Sequence, residues 1–105
     1  MFNRETAIEK VRSFTKELLL NGIRLDKVIL FGSYSINQQK DYSDIDVALV
    51  SDMFSGFGFE DRKLFSRVNI KKEYIDIDTK TYSKEYFDLS DPFIEEIKRT
   101  GIEIL

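Results

Sequence analysis

Val28-Ile29-Leu30-Phe31-Gly32-Ser33, then nine residues, then Ser43-Asp44-Ile45-Asp46-Val47-Ala48-Leu49-Val50 is the stretch that decides the fold. Residues 25–31 read as a strand, because the unbroken apolar run 28–31 suits a strand covered on both faces. The run stops at Gly32-Ser33. Residues 34–42 are polar and predict a short helix or turn. Residues 44–50 read as a second strand. Asp44 and Asp46 share one face with Ala48 and Val50, while Ile45, Val47 and Leu49 share the other.

Upstream, residues 4–21 predict a helix. Ala7, Val11, Phe14 and Leu18 recur at +4, +3 and +4 and line one face. Asn3 can cap its start, and Gly22 is a good stop. Downstream, residues 51–58 read as a loop with Gly56 and Gly58 as breakers, and 59–67 as helical. Three phenylalanines crowd the stretch 53–59, which suits either packing under the sheet or a partner surface. Residues 73–79 predict a third strand, with Ile75 and Ile77 on one face and Asp76 and Asp78 on the other. Asp91-Pro92 opens a last helix, as cap and first residue. Its apolar face is Phe93, Ile94 and Ile97, and Gly101 ends it. Residues 102–105 can add a short strand. The order predicts an α+β domain, a small mixed sheet packed against helices, spanning residues 1–105 as one unit.

Composition limits the chemistry. The chain of 105 residues is 42% hydrophobic and 33% charged, enough apolar content for a packed core. It has no cysteine and no histidine, which excludes disulfides, thiolate nucleophiles, cysteine zinc sites and imidazole bases. A net charge of −3 without a basic block argues against direct nucleic-acid binding. The longest apolar run near the motif is far short of the ~20 residues of a membrane span, and residues 1–10 lack a signal-peptide pattern. A cytoplasmic protein is the expectation.

What remains is oxygen chemistry. Asp44 and Asp46 lie two residues apart on one strand, their α-carbons about 6.6 Å apart. Two carboxylates so close repel, and partial burial adds to the cost. A cation relieves both. Oxygen-only ligation favours Mg²⁺, which takes one or two carboxylates together with substrate phosphates. Gly32 lets backbone approach a ligand, Ser33 adds a hydroxyl, and the turn after a strand offers N–H groups to phosphate. A carboxylate from the pair Asp76 and Asp78 can join from the third strand, to complete a metal clamp or to orient an incoming hydroxyl. Neither a P-loop nor a dinucleotide fingerprint is present.

Leu30-Phe31-Gly32-Ser33 with Ser43-Asp44-Ile45-Asp46-Val47 resembles the signature of minimal nucleotidyltransferases of the DNA polymerase β-like superfamily, and the element order follows it over nearly the whole chain. The resemblance implies the nucleotidyltransferase fold, Gly32 and Ser33 as the nucleotide-binding pair, and Asp44 and Asp46 as metal-binding, catalytic carboxylates. Asp76 best matches the third such carboxylate, with Asp78 as its alternative. It further implies transfer of a nucleoside monophosphate, commonly AMP from ATP with Mg²⁺, onto a hydroxyl. Members of this size often pair with a helical HEPN-type protein, as the antitoxin that adenylylates it. The other reading is a catalytically weak module that neutralises a partner by complex formation alone. Many members continue with Ala-Arg-Gly after Gly-Ser-x, where this chain has Ser35-Ile36-Asn37 after Tyr34. That departure bears on rate more than on fold. A separate partner also suits a chain this short, and the open edges of a small sheet allow a homodimer.

Overall fold

The computed structural model describes residues 3–40 and 43–105. Helix α1 (Arg4–Leu20) is followed by strand β1 (Lys27–Phe31), a 3₁₀ turn at Gly32–Tyr34, and strand β2 (Ile45–Val50). Short helices α2 (Gly58–Arg62) and α3 (Ser66–Asn69) and a 3₁₀ turn at Lys72–Tyr74 lead to β3 (Ile77–Tyr82). Then come α4 (Lys84–Leu89), α5 (Pro92–Thr100) and β4 (Ile102–Glu103). The strands form one mixed sheet in the order β3-β2-β1-β4. β1 runs antiparallel to both β2 and β4, whereas β2 and β3 are parallel. This is the expected α+β class.

Helix α1 starts where Asn3 Oδ1 accepts from Thr6 N–H at 2.8 Å, and the chain leaves it through Gly22 at φ +85°. Its stripe of Ala7, Val11, Phe14 and Leu18 is buried against Val28 and Leu30 of β1 and Ile45, Val47 and Leu49 of β2. Phe65, Val68 and Tyr74 complete this core from the α3 side. The opposite face of the sheet carries a smaller cluster, in which Ile29, Ala48, Val50 and Tyr82 meet Phe87 of α4 and Ile94 and Ile97 of α5. The split between the clusters follows strand parity. Helix α5 is capped as expected, Asp91 Oδ1 accepting from Ile94 N–H at 2.8 Å.

Three details differ from the sequence expectation. The region expected as one helix over 59–67 is two short helices, and Gly58 begins the first instead of breaking the chain. Helix α4 lies in a stretch where no element was expected, although Ser83 Oγ caps it by accepting from Tyr86 N–H at 3.2 Å. The third strand starts later and runs further than expected, because the preceding segment closes into the 3₁₀ turn Lys72–Tyr74. The expected turn over 34–42 is partly seen in Gly32–Tyr34, while Asp41 and Tyr42 lie outside the described residues. No helix among the described residues is long and apolar enough to cross a membrane.

Candidate active site

The two inner strands bring the motif together. Phe31, the last residue of β1, is the register partner of Asp46 on β2, so Gly32 begins its turn beside that carboxylate. Gly32 has φ +74°, and a Cβ placed on it would overlap Asp46 Oδ2 and sit 3.2 Å from Asp46 Cγ. Only glycine meets both conditions. The turn is closed by Ser35, whose N–H and Oγ–H donate to the Gly32 carbonyl at 3.1 and 2.8 Å. Gln38 N–H donates to the Ser33 carbonyl at 2.8 Å. Tyr34 is buried under the turn.

Across the parallel pair, Asp46 is in register with Asp78 of β3. Neighbouring strands lie about 4.8 Å apart, so the two residues stand side by side on the face that also carries Ala48 and Val50. Asp44 immediately precedes β2 and is exposed, whereas Asp46 is half-buried. Burial, then the negative charges of Asp78 and Asp44, push the Asp46 carboxyl up to about 6. Asp76 falls elsewhere. It precedes β3, its carbonyl accepts from Ile45 N–H at 3.0 Å, and its carboxylate lies 3.9 Å from Lys10 Nζ of α1. The structure therefore brings Asp46 and Asp78 together beside Gly32, leaves Asp44 exposed just before β2, and turns Asp76 toward the α1 side. Asp76 and Asp78 have the same parity in the sequence. The strand start at Ile77 separates them.

Asp46 and Asp78 open into a cleft of about 1140 Å³. One wall is α5 and the other is the loop between β2 and α2. Lys80, two residues beyond Asp78 on the same face, lies over the Phe93 ring with Nζ 5.2 Å from its centroid. Phe93 in turn meets Phe31 edge-on at 5.8 Å. Further along, Tyr82 and Tyr86 stack at 6.3 Å with an interplanar angle of 4°, and Tyr86 Oη donates to Asp91 Oδ2 at 2.8 Å. Lys80 and Tyr86 were not foreseen in the sequence, and Phe93, expected on the apolar face of the last helix, is half-exposed and lines the cleft. The alternation Asp78-Lys80-Tyr82 is the signal that would have found Lys80, once the strand is placed at 77–82.

The facing loop is held by Asp61, which is buried. Its carboxylate accepts from Ser55 N–H at 2.8 Å, Ser55 Oγ–H at 3.0 Å, Gly56 N–H at 2.9 Å and Thr81 Oγ–H at 2.7 Å. Burial pushes this carboxyl up, but the hydrogen bonds from Thr81, Ser55 and Gly56 outweigh it and leave it below its ordinary value. The phenylalanines of the loop divide. Phe54 is in the core at 4% exposure, while Phe57 is 72% and Phe59 69% exposed.

A family model described as "Nucleotidyltransferase domain" matches residues 8–103. The chain belongs to the nucleotidyltransferase domain family. It is also similar to a protein of Methanocaldococcus jannaschii named "putative protein adenylyltransferase", with 29% identity over 100 residues that cover 92% of this chain and 97% of the relative. In three dimensions it matches the crystal structure of a "putative nucleotidyltransferase" from Sulfolobus solfataricus with a TM-score of 0.68. That match covers 95% of this chain and 80% of the other at 18% identity, so it speaks for the nucleotidyltransferase fold. Membership makes the domain an enzyme domain of the nucleotidyltransferase class, acting on a nucleoside triphosphate.

The family's divalent cation has a donor set here that suits it. Asp44, Asp46 and Asp78 are all oxygen donors, and among the described residues none of them takes a hydrogen bond or an ion pair. A half-buried carboxylate flanked by two others without a donor is a cation-seeking arrangement. Among the described residues no group of three or more acidic side chains is placed to hold a metal ion; Mg²⁺ itself takes one or two carboxylates and completes its shell with water and substrate phosphate.

Proposed function

We propose that this nucleotidyltransferase transfers AMP from ATP to a hydroxyl on a partner protein, in the manner of an antitoxin acting on a HEPN-type helical partner. One observation carries the reading: Asp46 stands in register with Asp78 while the Gly32 backbone closes on Asp46 from the other side. Asp44, Asp46 and Asp78 are the residues to hold Mg²⁺, with Asp78 taking the place that sequence matching gave to Asp76. When bound, Mg²⁺ neutralises phosphate charge and favours displacement at phosphorus.

The chain's own groups do the rest. Gly32 and Ser33 hold phosphate oxygens by backbone N–H and the Ser33 hydroxyl. Lys80 adds a positive charge on the same face. The acceptor oxygen forms a bond to the α-phosphorus. The bond from that phosphorus to the bridging oxygen breaks, and pyrophosphate leaves with its electron pair. The hydroxyl proton passes to the Asp78 carboxylate.

The printed name of the M. jannaschii relative supports a protein acceptor. The test is incubation with α-labelled ATP, Mg²⁺ and a candidate helical partner, for the native chain and for D44N/D46N. Label should move to the partner only with the native chain. Transfer at an undiminished rate in the double variant overturns the proposal.

A further inference from the structure

In a phosphoryl displacement the entering and leaving oxygens lie roughly in line. On the proposed reaction pyrophosphate leaves on the Gly32 side, at the end of β1, and the hydroxyl enters beside Asp78 of β3. The nucleoside therefore extends from the α-phosphorus along the strands. In the direction of the cleft, the next residues on the carboxylate face are Ala48 and Lys80. They are register partners one step beyond Asp46 and Asp78, about 6.6 Å along the sheet.

Phe93 of α5 stands at that step. Its ring meets Phe31, the register partner of Asp46, edge-on at 5.8 Å, and Lys80 Nζ lies 5.2 Å from its centroid. It is nevertheless 47% exposed and lines the cleft. The polar side chains that α5 and its cap bring to the cleft are engaged with their own segment. Asp91 accepts from Ile94 N–H and Tyr86 Oη–H at 2.8 Å each. Glu96 takes Arg99 Nη2 on its two oxygens at 2.7 and 2.6 Å, and Thr100 Oγ1 donates to the Glu96 carbonyl at 2.8 Å. This wall offers a base a ring face, while its polar groups are turned to one another.

We propose that Phe93 is the nucleobase platform of this domain: the base of the bound nucleoside triphosphate stacks on its ring and is chosen by stacking area, not by hydrogen bonds. Stacking tolerates any base, because each has a π face, and the larger purine covers more of the ring. Purines are thus favoured over pyrimidines, and ATP and GTP serve alike. Lys80 takes part in the exchange. A lysine over an exposed ring is held weakly, whereas a phosphate oxygen gives it a charge-assisted hydrogen bond. Nζ moves from the ring to the phosphates as the base takes its place. This deepens the proposed function and rests on it, through the nucleoside triphosphate and the sides assigned to pyrophosphate and hydroxyl.

The experiment measures binding by titration calorimetry with Mg²⁺ present, for ATP, GTP, CTP, UTP and inorganic tripolyphosphate. Expected for the native chain are ATP and GTP within about threefold of each other and about tenfold tighter than CTP and UTP. Phe93→Leu keeps an apolar side chain against Phe31 and removes the ring. It should weaken ATP and GTP about tenfold, within what a base on an aromatic ring supplies. Tripolyphosphate should stay within about twofold of its native affinity, which also shows that the variant site is folded. Phe93→Trp should restore purine binding. Four nucleotides bound alike, a choice of ATP over GTP by about tenfold, a purine preference untouched by Phe93→Leu, or an equal loss for tripolyphosphate each overturns the platform and leaves the transferase reading in place. Binding of none of the five ligands overturns both.

Discussion

Asp46 and Asp78 are register partners across the parallel pair β2 and β3, and the charges of Asp78 and Asp44 both act on the half-buried Asp46 carboxyl. Replacing either by asparagine removes a charge without changing shape. D78N is expected to lower transfer by about 10²–10⁴-fold, the usual worth of a positioned acid or base, while the melting temperature holds or rises. Single-turnover transfer of labelled AMP together with a thermal melt checks both halves.

Asp76 gives the matching control. Its carboxylate faces Lys10 at 3.9 Å and is half-exposed, so D76A should cost less than ~1 kcal/mol of stability and leave transfer within about twofold of the native rate. The D76A rate measured beside that of D78N decides which aspartate is the third carboxylate.

Gly32→Ala attacks the turn. The backbone there is at φ +74° and the added methyl meets the Asp46 carboxylate. The left-handed backbone alone costs about 1–2 kcal/mol, or a fall of roughly 4–8 °C per kcal/mol for a domain of this size. Calorimetry should show that fall, and transfer should drop further than the loss of folded protein explains, because Asp46 must move aside.

Two of the perturbed carboxyls, Asp46 and Asp61, pull stability in opposite directions with pH. Asp46 is held up to about 6 in the folded chain, above the ~3.9 of an unfolded aspartate. The folded state then binds the proton more tightly, so this group lowers stability as pH rises from about 4 to about 6, and D46N should flatten that part of a melting profile. Asp61 is shifted down; its contribution is present above the unfolded value and lost as pH falls through the folded one. D61A leaves donors on Ser55, Gly56 and Thr81 unpaired and should cost about 2–4 kcal/mol at neutral pH.

Nucleotide binding should be visible without turnover. ATP with Mg²⁺ at a hundred times its dissociation constant stabilises by about 2.7 kcal/mol. A melt of the native chain should move up accordingly, while D44N/D46N should show little of the Mg²⁺-dependent part. An equal shift in both would separate metal binding from these carboxylates.

Much of this was legible in the residues. The spacing of Ala7, Val11, Phe14 and Leu18, the Asn3 cap and the alternation over 44–50 are local signals, and each is found in place. Gly32 before a polar stretch announced a close backbone approach, though not that the group approached is Asp46 itself. Asp76 and Asp78 could not be separated by pattern, because two residues of equal parity look alike until the partner strand sets where the ladder begins. Helix α4 buries only Phe87, so it left almost no periodic trace. The role of Asp61 rests on Thr81, 20 residues away in sequence, and no local rule points to such a pair. Neither could composition foretell that Phe54 turns inward and Phe57 outward.

The unequal size of the two apolar clusters has a kinetic consequence. The α1 side of the sheet is closed by the larger set of buried side chains, while α4 and α5 are held by a handful, chiefly Phe87, Ile94 and Ile97. Segments with few buried contacts open at lower free energy than the global transition. The amides of α4 and α5 should therefore exchange with deuterium well before those of α1, so that the wall over the carboxylates is the hinged shutter of the molecule and the α1 side its fixed frame.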